Sequence, residues 1–341
     1  MFTRTEASGL TPKEFNFKGV AFFKKRKYDQ ALQCFDRAIY LDRTNPQYFN
    51  NRGLFHYDRG DYAAAIVDYN RAIELNRGRA DFYYNRALAY RKSGHVDLAR
   101  RDYHQANVLN PKIAKEFSER AITRIEEGKY SEAIYDITEC INLRPFCARS
   151  YYNRGLCHFK GGSTALALAD YDTAIRLDPA NDRVILNRGL AYFKQHKFQQ
   201  AIEDFSQCLR LNDKNINALL NRALVYAQVR EYPLSIQDYG KLLDLMPGFI
   251  EALISRAEVF NEIGNVYGAL SDLTEAIKLE PTRADAYYLR AKVYQRLDRT
   301  EEARADYAEA LRLKHEPVSN LFSSGNQATD VDNEFLGLPL R

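Results

Sequence analysis

Residues Tyr151 to Pro179 read YYNRGLCHFKGGSTALALADYDTAIRLDP, and this pattern recurs with nearly the same spacing along most of the chain. Nine 34-residue repeats follow one another without an insertion, at 12–45, 46–79, 80–113, 114–147, 148–181, 182–215, 216–249, 250–283 and 284–317. A fixed period of this length indicates that each repeat is one supersecondary element. Such an element cannot bury its apolar face alone and is stable only when it is stacked on its neighbours.

The quoted repeat predicts two helices joined by a tight turn. Tyr151, Gly155 and His158 are spaced so that they share one face of a first helix. Gly162 is expected to end that helix, because glycine adopts the left-handed backbone conformation at little cost. The second helix carries small and large apolar residues at spacings of four, three and three before a proline: Ala167, Tyr171, Ala174 and Leu177, then Pro179.

Equivalent positions keep the same kind of side chain in all nine repeats. The position of Gly155 is always small: Gly19, Gly53, Ala87, Ala121, Gly155, Gly189, Ala223, Ala257 and Ala291. The position of Tyr171 is always large: Phe35, Tyr69, Tyr103, Ile137, Tyr171, Phe205, Tyr239, Leu273 and Tyr307. We therefore expect each small residue to let its two helices approach closely, and the leucine of the Leu177 position, present in every repeat, to be buried.

This spacing, with proline at positions 111, 145, 179, 247 and 281, resembles the tetratricopeptide repeat over residues 12–317. The tryptophan often found in the first helix of that family is replaced by other bulky residues, among them Phe49, Tyr83 and Leu219. The resemblance implies an all-α protein, an α-α solenoid wound as a right-handed superhelix. It also implies that the first helices line a concave groove and that the usual activity is peptide or protein binding.

The composition bounds the remaining possibilities. The chain has 341 residues, of which 45% are apolar, and a net charge of +4. We expect one domain, and so small a positive charge argues against a nucleic-acid binder. No apolar run resembles a signal peptide or a membrane span, so no membrane insertion is predicted. The expected location is the cytoplasm, with the cilium or cytoskeleton, or the nucleus, as alternatives.

A charged pair recurs from the second repeat onward. Arginine stands beside the small residue of the first helix, and aspartate stands beside the large residue of the second. We predict structural ion pairs within each repeat, because an unpaired buried charge is costly. The alternative is that the arginines reach a ligand. The predicted pairs are Arg52 with Asp68, Arg86 with Asp102, Arg120 with Asp136, Arg154 with Asp170, Arg188 with Asp204, Arg222 with Asp238, Arg256 with Asp272 and Arg290 with Asp306.

The opposite face of the first helix is the candidate binding surface. Asparagine recurs there, and its amide can pair with one peptide unit of an extended chain. The alternative is that asparagine is simply common at this position of the repeat. An apolar row runs beside the asparagines until it breaks at Glu258 and Lys292, and lysines flank its middle. The predicted groove residues are Asn51, Asn85, Tyr152, Asn153, Leu156, Phe159, Lys160, Asn187, Leu190, Phe193, Lys194, Asn221 and Leu224.

The predicted ligand is an extended or helical segment of a partner protein, with apolar anchors and some acidic residues, bound mainly by repeats five to seven. Residues 1–11 read as a polar leader and 318–341 as a carboxy-terminal tail that could cap the last repeat. Its acidic and apolar end, DVDNEFLGLPLR, could itself occupy a groove; the alternative is a tail without fixed structure.

Other functions are less well supported by the sequence. No phosphate-binding loop, metal-spaced cluster or activated nucleophile is visible, so neither an enzyme nor a cofactor nor a metal is predicted. Chaperone-tail capture needs an asparagine after the small residue of the first helix, where this chain has Leu54, Leu156 and Leu190. A structural part of a larger assembly, such as a ciliary or cytoskeletal complex, remains an alternative to a peptide-binding scaffold.

Overall fold

The computed structural model describes residues 9–315, which fold into two helices for every repeat and contain no strand. The predicted tail 318–341 lies outside the described residues. The first helices are α1 (Pro12–Lys24), α3 (Pro46–Asp58), α5 (Ala80–Lys92), α7 (Lys112–Glu126), α9 (Ala148–Lys160), α11 (Asp182–Lys194), α13 (Ile216–Gln228), α15 (Ile250–Glu262) and α17 (Ala284–Arg296). The second helices are α2 (Tyr28–Leu41), α4 (Tyr62–Leu75), α6 (Val96–Leu109), α8 (Tyr130–Leu143), α10 (Thr164–Leu177), α12 (Phe198–Leu211), α14 (Tyr232–Leu245), α16 (Val266–Leu279) and α18 (Thr300–His315).

The turn inside each repeat depends on one left-handed residue. Gly162 has φ +81°, which confirms its predicted role in ending the first helix. The equivalent residue is not always glycine: His196 and Arg230, for example, hold φ values of +57° and +63°. The turn geometry is therefore conserved even where the side chain makes it less favourable.

Small and large residues meet inside the first, second and sixth repeats as predicted. A Cβ atom added to Gly53 would lie 2.6 Å from Cε1 of Tyr69, and one added to Gly189 would lie 2.7 Å from Cε1 of Phe205. Most aromatic residues at this position, such as Tyr69 and Phe205, are fully buried, whereas Tyr307 of the last repeat is half-buried. The close approach of the two helices is thus set by the missing side chain.

The burial of the leucine at the end of the second helix differs from the prediction. Leu143 is 1% exposed, but Leu41 and Leu211 are 41% and 47% exposed. Most copies lie on the last turn, near the surface, so the expectation that all nine are buried is wrong. Burial of Leu143 has a local cause, described below.

The chain divides into two compact units, where the sequence predicted one domain. The amino-terminal unit extends through Cys157, and the carboxy-terminal unit begins at His158, within α9. Each unit is a stack of helical hairpins, the α-α solenoid class that was predicted. In the regular stack, the second helix of one repeat packs against the first helix of the next, as α4 does against α5 and α12 against α13.

One junction in the amino-terminal unit departs from this rule. Between the third and fourth repeats, α6 packs mainly against α8 and only slightly against α7. Leu143 of α8 therefore joins the core cluster of Tyr103 and Ala106 on α6 and Ala87 on α5. The repeat spacing contains no insertion at this point, so periodicity alone did not predict the irregular junction.

Candidate functional site

Each described arginine–aspartate pair is bidentate and lies within one repeat. Guanidinium Nε and Nη2 donate to the two carboxylate oxygens at 2.5–2.9 Å. The aspartate side chains are at most 9% exposed. We call this set the arginine ladder: Arg52–Asp68, Arg86–Asp102, Arg120–Asp136, Arg188–Asp204, Arg222–Asp238, Arg256–Asp272 and Arg290–Asp306.

Arg154 and Asp170 belong to different compact units, and each makes contacts within its own unit. In the amino-terminal unit, Arg154 donates from Nη1 to Thr138 Oγ1 at 3.2 Å. In the carboxy-terminal unit, Asp170 is 6% exposed and its carboxylate lies 3.9 Å from His158 Nε2.

The third guanidinium nitrogen makes a contact that the sequence analysis missed. It reaches back to the second helix of the preceding repeat, as Arg188 Nη1 does to Asp172 at 2.7 Å and Arg222 Nη1 to Ser206 at 2.9 Å. The same atom of Arg52 donates to Asp36 at 2.7 Å. The arginines thus join consecutive repeats as well as the two helices of one repeat. The signal was present as a recurrent acceptor sixteen residues before the arginine: Asp36, Asn70, Thr138, Asp172, Ser206 and Thr274.

The asparagines of the predicted groove are used by the fold itself. Asn85 donates from Nδ2 to Asn50 on the preceding first helix at 2.9 Å. Asn221 donates to a backbone carbonyl of its own helix, that of Asn217, at 2.7 Å. Asn153 and Asn187 are buried, at 7% and 6% exposure. Asn51 likewise donates to Asn16 on the preceding first helix. Asn187 donates to the Arg183 carbonyl of its own helix.

The middle of the predicted apolar row is also buried. Leu156 and Phe159 are 8% and 5% exposed, so they do not supply exposed apolar surface, contrary to expectation. Tyr152, Leu190, Phe193 and Leu224 are half-buried, whereas Lys160 and Lys194 are exposed. Lys194 Nζ lies 5.0 Å from the centre of the Phe159 ring and covers it. Most of this face is therefore buried by packing within the fold.

An open cleft lies further along the chain, in the carboxy-terminal unit. It has a volume of about 500 Å³ and crosses the first helices α13, α15 and α17, with α14 and α16 beneath them. Of the predicted groove residues, Leu224 lines it. Its floor is apolar and its rim polar: Leu224, Ala227, Tyr239, Leu273, Leu289 and Val293, with Gln228, Arg230, Ser255, Glu258, Glu262 and Lys292.

The acidic side of the cleft is centred on Glu258. Burial raises the pKa of its carboxyl group, and Asp285 and Glu262 raise that pKa further while Lys292 opposes them. Glu258 is nevertheless accessible to solvent through the cleft. Among residues 9–315, no basic nitrogen lies within 4.0 Å of its carboxylate. Lys292 is turned aside, with Nζ 4.5 Å from the centre of the Tyr288 ring.

A buried hydroxyl lies at the floor of the cleft. Tyr239 is fully buried, and its Oη, like those of the equivalent Tyr69 and Tyr103, makes no hydrogen bond of standard geometry within residues 9–315. Burial raises the pKa of this phenol, and the neighbouring Ser255 opposes the shift. The cleft therefore combines apolar walls with a carboxylate that has no ion-pair partner among residues 9–315, a combination suited to binding rather than to stability alone.

Residues 9–315 contain neither a metal-binding cluster nor a membrane-spanning helix. No group of three or more histidine, cysteine, aspartate or glutamate side chains there could hold a metal ion. None of the described helices is both long and apolar enough to cross a bilayer.

Several solved structures are similar to this chain. MamA from Desulfovibrio magneticus RS-1 is 17% identical, with a TM-score of 0.49, over 50% of this chain and 97% of that one. YrrB, described as a TPR protein with an unusual peptide-binding site, is 21% identical, with a TM-score of 0.48, over 53% and 93%. The Cut9–Hcn1 hetero-tetramer of the APC/C is 18% identical, with a TM-score of 0.46, over 85% and 57%. No curated protein matches the chain.

Family models identify the repeat directly. The model described as TPR repeat matches residues 56–94 and 158–196. Three models described as tetratricopeptide repeat match 12–45 and 183–215, 80–113, and 272–305. Together these segments cover more than half of the chain and agree with its paired helices. The chain belongs to the tetratricopeptide repeat family.

Proposed function

We propose that this protein is a non-catalytic scaffold that binds a segment of a partner protein in the cleft across α13, α15 and α17. The observation that carries the proposal is the pairing of open apolar surface with a carboxylate that has no ion-pair partner within 4.0 Å among residues 9–315. The ligand is an extended or helical peptide with one apolar anchor and, opposite Glu258, one basic side chain.

The apolar part of the proposal rests on how the cleft is built. Leu224, Glu258 and Lys292 occupy one position in three successive repeats, where the earlier repeats have only apolar residues. The two charged residues there do not close over the cleft, so Leu224 and Leu289 stay accessible from it. An apolar side chain of a peptide would remove this surface from water, at roughly 25 cal/mol per Å² buried.

The basic residue of the ligand is inferred from the environment of the Glu258 carboxylate. Its carboxylate is partly desolvated, and two other carboxyl groups lie near it, so the ionised form gains from any cation brought close. A lysine or arginine of the ligand supplies that cation. This differs from the acidic ligand predicted from the sequence, because that prediction was based on Lys160 and Lys194 in an earlier part of the array.

The acidic end of the tail fits this cleft poorly. Asp330, Asp332 and Glu334 would be brought towards Glu258 and Glu262, and like charges repel. Occupation of the cleft by the chain's own tail is therefore disfavoured relative to a basic segment of a partner.

A random peptide-display library, panned against the full chain, tests the proposal. We expect enriched sequences to share a basic residue next to an apolar one. Glu258→Lys should weaken binding of these peptides at least tenfold, and Leu224→Asp should abolish it. Glu74→Lys, on the exposed surface of α4, is the matched control and should bind as the wild type does.

Enrichment of no common sequence would contradict the proposal. So would enriched peptides that bind both cleft variants with wild-type affinity, because the binding surface would then lie elsewhere on the scaffold.

A further inference from the structure

The fourth repeat places a buried carboxylate on the first helix of the third. Glu139 of α8 is 1% exposed. Its Oε1 lies 2.8 Å from Arg91 Nη1, and its Oε2 accepts a hydrogen bond of 3.2 Å from the Tyr84 hydroxyl. Both partners belong to α5. Glu139 is not part of the arginine ladder, and its two contacts are absent from the regular repeat pattern.

Glu139 is the one buried residue at its position of the repeat among residues 9–315. The equivalent residues Arg37, Arg71 and Lys241 are exposed, and those of the other five repeats are half-buried. Leu143, one turn further along α8, is buried although Leu41 at the same position is exposed. A face of α8 that would ordinarily meet water is thus packed against α5 and α6, which is the irregular junction described above.

The surface covered by α8 belongs to the face that was predicted to bind ligands. Tyr84 occupies the position of Tyr152, and Arg91 occupies that of Phe159 and Phe193. Tyr103 lies beneath them, with its ring centre 5.9 Å from the Arg91 guanidinium carbon. Tyr84 in turn packs against Tyr103 at 5.8 Å between ring centres. A guanidinium and a hydroxyl bordered by aromatic rings form a site for one carboxylate.

The fourth hairpin can keep its own structure without this contact. Asp136 of α8 is held by Arg120 at 2.5 Å and by Arg124 at 2.6 Å, both on α7. The α7 helix itself touches α6 only slightly. The α7–α8 hairpin is therefore fastened internally by its own ion pairs. It is held to the third repeat by Glu139 and Leu143, by Ala114 and Phe117 of α7 in the same core cluster, and by Arg144, which donates to the Pro111 carbonyl.

We propose that Arg91 and Tyr84 form a binding site for a glutamate on an amphipathic helix of a partner protein, and that Glu139 fills this site until the partner displaces it. Charge complementarity selects the ligand: the site offers one cation and one hydroxyl donor to a carboxylate. The α8 helix shows the required pattern, a glutamate one turn before a leucine. This site is separate from the cleft of the carboxy-terminal unit and does not depend on it.

The probe is a labelled, end-blocked peptide of residues 130–143 with Cys140→Ser, added to the full chain. Fluorescence anisotropy should show at least tenfold tighter binding to Glu139→Ala than to the wild type, because the chain's own α8 then no longer offers a carboxylate that competes for Arg91 and Tyr84. Adding Arg91→Met to Glu139→Ala should abolish that gain. The same peptide carrying Glu139→Gln should bind the Glu139→Ala chain at least tenfold more weakly than the unmodified peptide.

Failure of the peptide to bind Glu139→Ala would overturn the site. Equal binding to wild type and variant would overturn the idea that Glu139 fills it.

Hydrogen exchange separates this role from a merely structural one. Glu139→Gln should speed exchange in residues 130–143 and 80–92 and leave residues 46–75 unchanged. The double variant Arg91→Met with Glu139→Met should retain wild-type protection, because a buried ion pair can be replaced by apolar groups without loss of packing. Faster exchange throughout the amino-terminal unit in Glu139→Gln would show that Glu139 only stabilises the fold and would overturn the proposal.

Discussion

Arg222 holds Asp238 by two parallel hydrogen bonds, Nε to Oδ2 at 2.7 Å and Nη2 to Oδ1 at 2.8 Å, while the Asp238 side chain is only 2% exposed. Removing the carboxylate leaves a partly buried guanidinium without its counter-ion. We expect Asp238→Ala to lower the free energy of unfolding by about 3 kcal/mol, measured by urea denaturation. The exposed pair Arg71–Glu74 is the matched control, and Glu74→Ala should cost no more than about 1 kcal/mol. Equal losses from the two substitutions would mean that burial adds nothing to the ladder.

Gly240 stands where other repeats offer an acceptor to the ladder arginine. A Cβ atom built on Gly240 would meet only Arg256 Nη1, at 4.0 Å, so the position has room for a side chain. We expect Gly240→Ala to raise the free energy of unfolding by about 1 kcal/mol through helix propensity. Gly240→Ser should raise the free energy of unfolding by about 0.5–1.5 kcal/mol more than serine's helix propensity alone predicts, if its hydroxyl accepts a hydrogen bond from Arg256. If Gly240→Ser gains no more than the roughly 0.5 kcal/mol expected from serine's helix propensity alone, the link between repeats contributes nothing here.

Gly189 and Phe205 are in closer contact than any side chain at the glycine would allow. Gly189→Ala should lower the free energy of unfolding by about 1–3 kcal/mol despite the better helix propensity of alanine, because the Phe205 ring must shift. Gly248, which has no atom within 4 Å of its virtual Cβ, is the control. Gly248→Ala should be neutral within about 0.5 kcal/mol by the same thermal or urea melts. A neutral Gly189→Ala would show that the helices separate without cost.

Glu258 should make stability depend on pH. Its pKa in the folded protein is raised above the ordinary value of 4.5, chiefly by burial. Its protonated form therefore favours the fold, and that contribution is complete below pH 4.5 and is lost as pH rises through the folded-state pKa. We expect Glu258→Gln to stabilise the protein at pH 7, by no more than about 1 kcal/mol because the side chain is accessible to water.

The difference between Glu258→Gln and wild type should shrink as pH falls towards 4, measured by urea denaturation at both pH values. Glu74→Gln, on exposed surface, should show no such trend. A gain that is the same at pH 4 and pH 7 would exclude the carboxyl group as its source.

Periodicity was sufficient to predict the helices and their close packing. A helix turn needs one left-handed residue and a tight interface needs one small residue, and both requirements are local, so Gly162 and Gly189 reveal them in the sequence. The Arg222–Asp238 register also followed from the sequence, because the two residues appear together in every repeat after the first.

The binding surface was harder to predict, because it depends on how closely successive first helices pack. Asn221 and Phe159 are chemically suited to a ligand, yet the distance between neighbouring helices lets the fold use or cover them. Similarly, Glu139 occupies a position that is exposed or half-buried in the other repeats, and the altered packing of α8 buries it. Such differences arise from contacts between repeats, and the residue pattern of a single repeat does not reveal them.

A third hydrogen bond, made by most of the ladder arginines, gives the array a direction. An acceptor such as Thr274 serves the arginine of the repeat that follows it, here Arg290, and never the reverse. Shortening the chain from its carboxyl end thus frees a neutral hydroxyl that water can satisfy, whereas shortening it from the amino end deprives a cation of an acceptor. The first repeat has Lys18 in place of the arginine and therefore needs no acceptor from a preceding repeat, so we expect repeats to be removed or added more easily at the carboxyl end than at the amino end.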